Sequence, residues 1–242
     1  MSNDRSETSI RAFLTPPHAC AYLEGEQARS LFLDPETRVS AALYQGLTER
    51  GFRRSGDAVY RPHCDRCSAC QPSRLAIARF QASRAQRRTL SKNADIEFVA
   101  EEARFDDAIF GLYDRYITAR HQDGSMYPAT EEQFRSFLLT PWAETSFYSG
   151  YLEGQRVCVA VTDHLPSALS AVYTFFEPEL ANRGLGTLAV LAQIHWAKAL
   201  NLEYLYLGYA IEPAEKMRYK FSFRPLEVLG PSGWTDFTPA TR

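Results

Sequence analysis

Residues 168–207 read ALSAVYTFFEPELANRGLGTLAVLAQIHWAKALNLEYLYL, and the order of elements within them decides the fold. Ala168 to Phe176 is rich in aromatic and apolar residues and is closed by Glu177 and Pro178, which reads as a strand. After a loop through Arg183, the segment from about Gly186 to Leu200 sets Leu188, Leu191, Ala192 and Ala199 on neighbouring faces of a long helix. Tyr204 to Leu207 returns to strand character. Side chains alternate across a strand, so Tyr204 and Tyr206 share one face, and Leu205 and Leu207 the other.

Working outward, Thr145 to Leu152 and Val157 to Asp163 precede this unit as two more strand-like runs, punctuated by Gly154 and Pro166. The three together predict an antiparallel meander. Further upstream, Ile96 to Val99 is β-prone, and Phe105 to Ala119 repeats apolar residues at helical spacing through Ile109, Leu112, Tyr113 and Tyr116. A second helix is expected after Thr130, an N-cap residue followed by Glu131 and Glu132 at the positive end of the helix dipole. A short strand pair near Leu226 to Trp234 ends the series. Strand, two helices, three strands, helix, strand and strand pair is the order of an α+β, GNAT-type acyltransferase fold, expected over residues 93–242. Residues 1–92 form a smaller Cys-rich and Arg-rich region with helical stretches near Gly25 to Leu33 and Val39 to Arg50, a cysteine loop, and a strand from Leu75 to Phe80.

With 45% hydrophobic and 23% charged residues in 242, the chain is an ordinary globular protein and neither a disordered, a collagenous nor a disulfide-framework one. Five cysteines, an odd and sparse set, favour a reducing compartment. The start MSNDRSETSIRAFL lacks the basic and apolar regions of a signal sequence, and no apolar run reaches the roughly 18 residues that span a bilayer. A cytoplasmic protein with no membrane partner is expected.

The formal net charge of -2 hides an uneven distribution. Arg50, Arg53, Arg54, Arg61, Arg66, Arg74, Arg79, Arg84, Arg87, Arg88 and Lys92 stand against only Asp57 and Asp65, so residues 50–92 carry +9 and the remainder -11. Ten of these eleven cations are arginines, whose guanidinium forks grip phosphate and stack on bases. The segment reads either as a nucleic-acid surface or as a solvated face paired with the acidic remainder.

Four constellations bear chemistry. Cys64, Cys67 and Cys70, at three-residue spacing, could be completed by Cys20 or His63 into a zinc or iron-sulfur set, or remain thiols in a tight loop. Cys158, inside an apolar strand, is core. Arg183-Gly184-Leu185-Gly186 at the mouth of the long helix suits an anion such as a pyrophosphate or the 3' end of a tRNA, although glycines are also common at such junctions for steric reasons. Cations and rings alternate from Tyr206 and Tyr209 through Lys216, Arg218, Tyr219 and Lys220, which suits a carboxylate and a stacked ring, or else an exposed helix end. Arg120 and His121, followed by Gln122-Asp123-Gly124-Ser125-Met126, place a histidine just past a helix, as a general base or as a cap facing the negative dipole end.

The segments CDRCSACQPSRLAIARFQASRAQRR, RYITARHQDGSM, LSAVYTFFEP, RGLGT and YLYLGYAIEPAEKMRYKFSFRPLE together resemble the bacterial aspartate/glutamate leucyltransferases, within the wider arginyl-tRNA-protein transferase family. The resemblance runs from about Cys20 to about Trp234. It departs at Ala210, where family members commonly carry tryptophan. The resemblance implies transfer of leucine from leucyl-tRNA to the α-amino group of proteins beginning with Asp or Glu, which marks them as N-degrons, with no acyl-CoA and no required cofactor. On that basis Arg74, Arg79, Arg84, Arg87, Arg88, Lys92, Arg183, Gly184 and Gly186 are expected at the tRNA. Arg120, Tyr173, Lys216, Arg218, Tyr219 and Lys220 are expected at the substrate, with His121 and Tyr206 as candidates for proton transfer or oxyanion support. Cys20, Cys64, Cys67 and Cys70 are the candidate metal ligands. The alternatives are transfer of arginine, a non-catalytic tRNA-binding or metal-sensing module, and a CoA-dependent acetyltransferase.

Overall fold

The structure is a computed structural model that describes residues 10–122, 124 and 126–239. The first nine residues lie outside this range, as do Asp123 and Ser125 of the candidate histidine cluster. Among the described residues the chain runs β1 (Ala12–Leu14), β2 (His18–Ala19), β3 (Gln27–Ala28), β4 (Ser30–Leu33), α1 (Ala41–Glu49), β5 (Arg53–Ser55), β6 (Ala58–Pro62) and β7 (Gln71–Ala76). It continues through α2 (Arg84–Lys92), β8 (Ile96–Glu102), α3 (Asp107–Arg120), α4 (Glu131–Leu138), β9 (Thr145–Leu152), β10 (Gln155–Leu165) and β11 (Ala168–Phe176). The last elements are α5 (Leu185–Ala199), β12 (Tyr204–Ala210), α6 (Glu215–Arg218), β13 (Glu227–Gly230) and β14 (Gly233–Asp236).

The large sheet has eight strands in the order β14-β13-β7-β12-β11-β10-β9-β8. The expected meander is present as β9, β10 and β11, paired antiparallel, while β11 and β12, joined through α5, are parallel. A parallel pair needs a long crossover, and the 15-residue α5 supplies it. The sheet is covered on both faces, and the near-continuous apolar run of β10 follows from that. Cys158 and Ala160 point into the core beneath α5 with Leu75, Leu169 and Leu205. Val159 and Val161 point the other way, into a core built from Ile109, Leu112 and Tyr113 of α3 and Phe134 of α4. The caps of both these helices are side-chain oxygens: Asp106 accepts from Ile109 N and Thr130 from Gln133 N.

Two expectations are corrected. Gly25 to Leu33 is not helical: it holds β3 and β4, and Ser30–Leu33 pairs with β1 and β6 in a separate four-stranded sheet. The strand expected at Leu75 to Phe80 begins earlier, at Gln71, and gives way to a 3-10 turn at Ile77–Arg79. The arginine series holds the helix α2, closed by a capping box in which Ser83 Oγ accepts from Gln86 N and Gln86 Oε1 accepts from Ser83 N. β7, from within residues 1–92, lies between β12 and β13. The division expected at residue 92 therefore runs through the large sheet.

The small sheet is fastened to the large one by a buried ion pair. Arg54 of β5 donates from Nε (2.6 Å) and Nη2 (2.7 Å) to the two carboxylate oxygens of Asp163 on β10. Both side chains are fully buried, and Tyr44 of α1 and Thr145 of β9 donate to the same carboxylate. No described helix is long and apolar enough to cross a membrane.

Candidate functional site

The parallel pairing of β11 and β12 covers only Ala168–Ser170 and Tyr204–Tyr206. β11 continues to Phe176 and β12 to Ala210, so beyond Ser170 the two strands no longer share a ladder. Gly208 marks the same place on the other edge of β12, where the register against β7 shifts and its φ is +79°. Two cations occupy the fork. Arg53 of β5 donates from Nη2 to the carbonyl of Ala171 on β11 (2.5 Å), and Lys220 donates from Nζ to the carbonyl of Tyr209 on β12 (2.6 Å). A Cβ on Gly208 would lie 3.6 Å from each of Arg53 Nε, Arg53 Nη2 and Lys220 Nζ, so both head groups converge on this glycine. Burial, and after it the field of Arg53, lowers the Lys220 ammonium to about 7.

An aromatic wall stands beside the fork. Tyr116 of α3 packs edge-on against Tyr173 and Phe176 of β11, and Phe137 of α4 against Tyr173. Tyr173 is half-buried; its hydroxyl meets Met126 Sδ at 3.9 Å, and burial first, then the neighbouring tyrosines, raise its pKa. His121 is the C-cap of α3, half-buried, with its ring 5.7 Å from that of Tyr116. Arg120 is exposed and faces the Phe176 ring at 5.8 Å. Lys216 and Arg218 of α6 are exposed, Arg218 donating to Glu212 O (3.1 Å), and Tyr219 begins the 3-10 turn that carries Lys220. Tyr206 is not brought to His121. It is 2% exposed, packed with Tyr44, Leu165 and Ala168, and its hydroxyl accepts from Arg74 Nη1.

The basic block divides into committed and open cations. Arg53 and Arg54 are buried. Arg74 is sandwiched over the rings of Tyr204 and Trp234 and bound to Glu227, and Arg79 is paired with Glu227 and Asp236. For Arg54, Arg74 and Arg79 pairing with the acidic remainder holds. Arg84, Arg87 and Arg88 project from exposed positions of α2, spaced so that they share a face. Lys92 donates to Asn182 O and is exposed. Arg183 is taken up by Asn93, the Lys92 carbonyl and Asp95, which ties α2 to the loop before α5. Gly184 has a steric use, being left-handed at φ +71°, whereas a Cβ on Gly186 would make only an ordinary contact, 3.5 Å from the Phe176 ring.

Cys20, Cys64, Cys67 and Cys70 line one cavity of about 420 Å³ together with Tyr22, Tyr60, His63 and Tyr209. Burial, and next the fields of the other three cysteines, push the Cys70 thiol up to about 12. The donors are right in kind for zinc or an iron-sulfur cluster. Among the described residues, however, no three His, Cys, Asp or Glu side chains stand in metal-holding geometry. Cys158 is wholly buried, as expected of a core residue. Ala210 is also wholly buried, in the core on the α5 side of the sheet.

Arg53 and Gly208 were not singled out by sequence reasoning. Arg53 is one of eleven similar cations in its segment, and only the fold shows which of them turn inward. Gly208 had a weak signal, a glycine within a strand pattern.

Two sequence profiles match the chain, the N-terminal part of arginine-tRNA-protein transferase over residues 18–88 and its C-terminal part over residues 108–230. A protein of Alcanivorax borkumensis named aspartate/glutamate leucyltransferase is 49% identical over 229 residues, covering 95% of both chains. One of the same name from Pseudomonas putida is 48% identical over 225 residues, covering 93% of this chain and 96% of its own. Among solved structures, L-PGS from Bacillus licheniformis aligns with 70% of this chain and 49% of its own at 12% identity and a TM-score of 0.46.

Proposed function

Because the chain belongs to the arginine-tRNA-protein transferase family, matched through both its N- and C-terminal parts, we propose that it transfers leucine from leucyl-tRNA to the α-amino group of proteins beginning with Asp or Glu. The observation that carries this reading is identity of 48–49% to aspartate/glutamate leucyltransferases along more than nine-tenths of both chains. The product is an N-degron, the setting is cytoplasmic, and neither acyl-CoA nor another cofactor takes part. The parallel β11–β12 pair bridged by α5, with strands that separate past Ser170, supports a GNAT-type acyltransferase core.

The acceptor's neutral α-amine attacks the ester carbonyl that joins leucine to the terminal ribose. The new C–N bond forms, the C–O bond to the ribose breaks, and the amine proton ends on the released hydroxyl. An aminoacyl ester is already activated, so positioning supplies much of the rate; well-oriented reactants gain about 7 to 11 kcal/mol. Arg84, Arg87 and Arg88, all open on α2, hold the acceptor arm of the tRNA. The wall of Tyr116, Tyr173 and Phe176 receives apolar and ring surfaces of the donor end, with Arg120 at its rim. His121, beside Tyr116, is the proton acceptor. Tyr206, sealed in the core, supports the site through Arg74 and the sheet.

The test offers the purified protein leucyl-tRNA or arginyl-tRNA together with peptides beginning in Asp, Glu, Asn or Ala. Leucine incorporation into the Asp and Glu peptides alone is expected. Arginine incorporation, or tRNA binding without a peptide product, would overturn the reading.

A further inference from the structure

Neither Arg53 nor Lys220 makes an ion pair among the described residues, although both are more than nine-tenths buried and they face the same glycine. Two cations side by side out of water are costly unless an anion joins them. The contrast within one strand sharpens the point: Arg54, the next residue, is met by both oxygens of Asp163. Arg53 has two carbonyl-directed or glycine-facing nitrogens, and its Nη1 is buried with no hydrogen-bond partner among the described residues. Lys220 gives one of its hydrogens to Tyr209 O and, among the described residues, has only the soft Met217 Sδ, at 3.9 Å, for another.

We propose that Arg53 and Lys220 form a seat for a single carboxylate, and that its occupant is the acidic side chain of the acceptor protein's first residue. The seat rests on the leucyl-transfer reading and assigns the residues that make the reaction selective for Asp and Glu. A guanidinium and an ammonium supply charged donors from two directions, which a carboxylate satisfies and a neutral amide satisfies poorly. The seat lies where β11 and β12 part, one cation anchored to each strand. Tyr219, 46% exposed, has its ring 5.9 Å from Lys220 Nζ. The occupant is a side chain one residue's length from the attacking amine, so seating it also places that amine. Arg53 and Lys220 are in this sense specificity and positioning groups, and the bond-making step is unchanged.

The experiment compares peptides that differ only in beginning with Asp or Asn, using the full-length enzyme and leucyl-tRNA. Product from the Asp peptide with the wild-type protein tests the leucyl-transfer reading by itself. Given that product, Arg53→Met and Lys220→Met are each expected to raise KM for the Asp peptide about 10- to 100-fold, as loss of a charged hydrogen bond does. They should also collapse the preference for Asp over Asn while leaving the Kd for leucyl-tRNA within about twofold, and Arg53→Lys should recover part of the preference. Retention of the wild-type Asp-over-Asn preference in Arg53→Met would overturn the seat. A second arm needs no variant: the wild-type protein is treated with an amine-acylating reagent and Lys220 labelling is read by peptide mass spectrometry. The Asp peptide should protect Lys220 at least severalfold more than the Asn peptide, and equal protection would overturn the seat.

Discussion

At the residue scale, neighbours in sequence take opposite fates. Arg53 and Arg54 lie on one short strand; the second is neutralised by Asp163, and the first is left facing a glycine. Breaking one partner of a fully buried, bidentate pair leaves an uncompensated charge, so Asp163→Asn and Arg54→Met are each expected to cost about 3 to 5 kcal/mol in chemical denaturation. Lys220 makes a prediction about pH. Facing it are the guanidinium of Arg53, the Cys70 thiol, the Tyr209 carbonyl, Met217 Sδ and the Tyr219 ring. Its pKa falls from 10.5 to about 7 on folding, so between those values the unfolded chain binds a proton that the folded one does not. Its contribution to stability therefore improves as pH rises from about 7 towards 10.5. The melting temperature of wild type relative to Lys220→Met should climb across that window, and a flat difference would show the ammonium to be solvated. His121→Ala should slow single-turnover leucyl transfer by about 100-fold if the ring takes the amine proton; an unchanged rate would remove it from that role.

At the scale of elements, α2 is the clearest functional unit. Its three open arginines occupy spacings i, i+3 and i+4, and its end is tied to the loop before α5 through Arg183 and Asn93, so any ligand on its face is held in register with the fork. Replacing Arg84, Arg87 and Arg88 together by Ala should reduce the slope of log K for tRNA against log salt by about 2 to 3, with the fold intact. An unaltered slope would move the tRNA contact elsewhere. The basic character of this segment was plain in composition, but composition treated its eleven cations as equivalent. Arg74 and Arg79 look no different from Arg84 in the sequence, and only strand pairing puts Glu227 and Asp236 against them.

At the scale of the whole molecule, β7 joins the two halves of the chain. It lies between β12 and β13, and Leu75 is fully buried in the core under α5. A fragment of residues 93–242 would expose the edges of β12 and β13 together with that core, so it is expected to lack a cooperative thermal transition that the full chain shows. Local pattern carried much of the rest. The meander, the Thr130 cap, the long helix and its following strand depend on periodicity and capping, which act over a few residues and are written in order along the chain. The glycine loop, the arginine-rich segment and the motif set that resembles the leucyltransferases were legible for the same reason. What tertiary structure alone decided is which residues meet. It brought four cysteines to one cavity, buried Tyr206 away from His121, spent Arg183 on Asn93 and Asp95, and set Arg53 beside Lys220 across 167 residues of chain. These are contacts between distant segments, fixed by strand order and by the point at which β11 and β12 separate, and a charge or a thiol bears no mark in sequence of the partner that folding will give it.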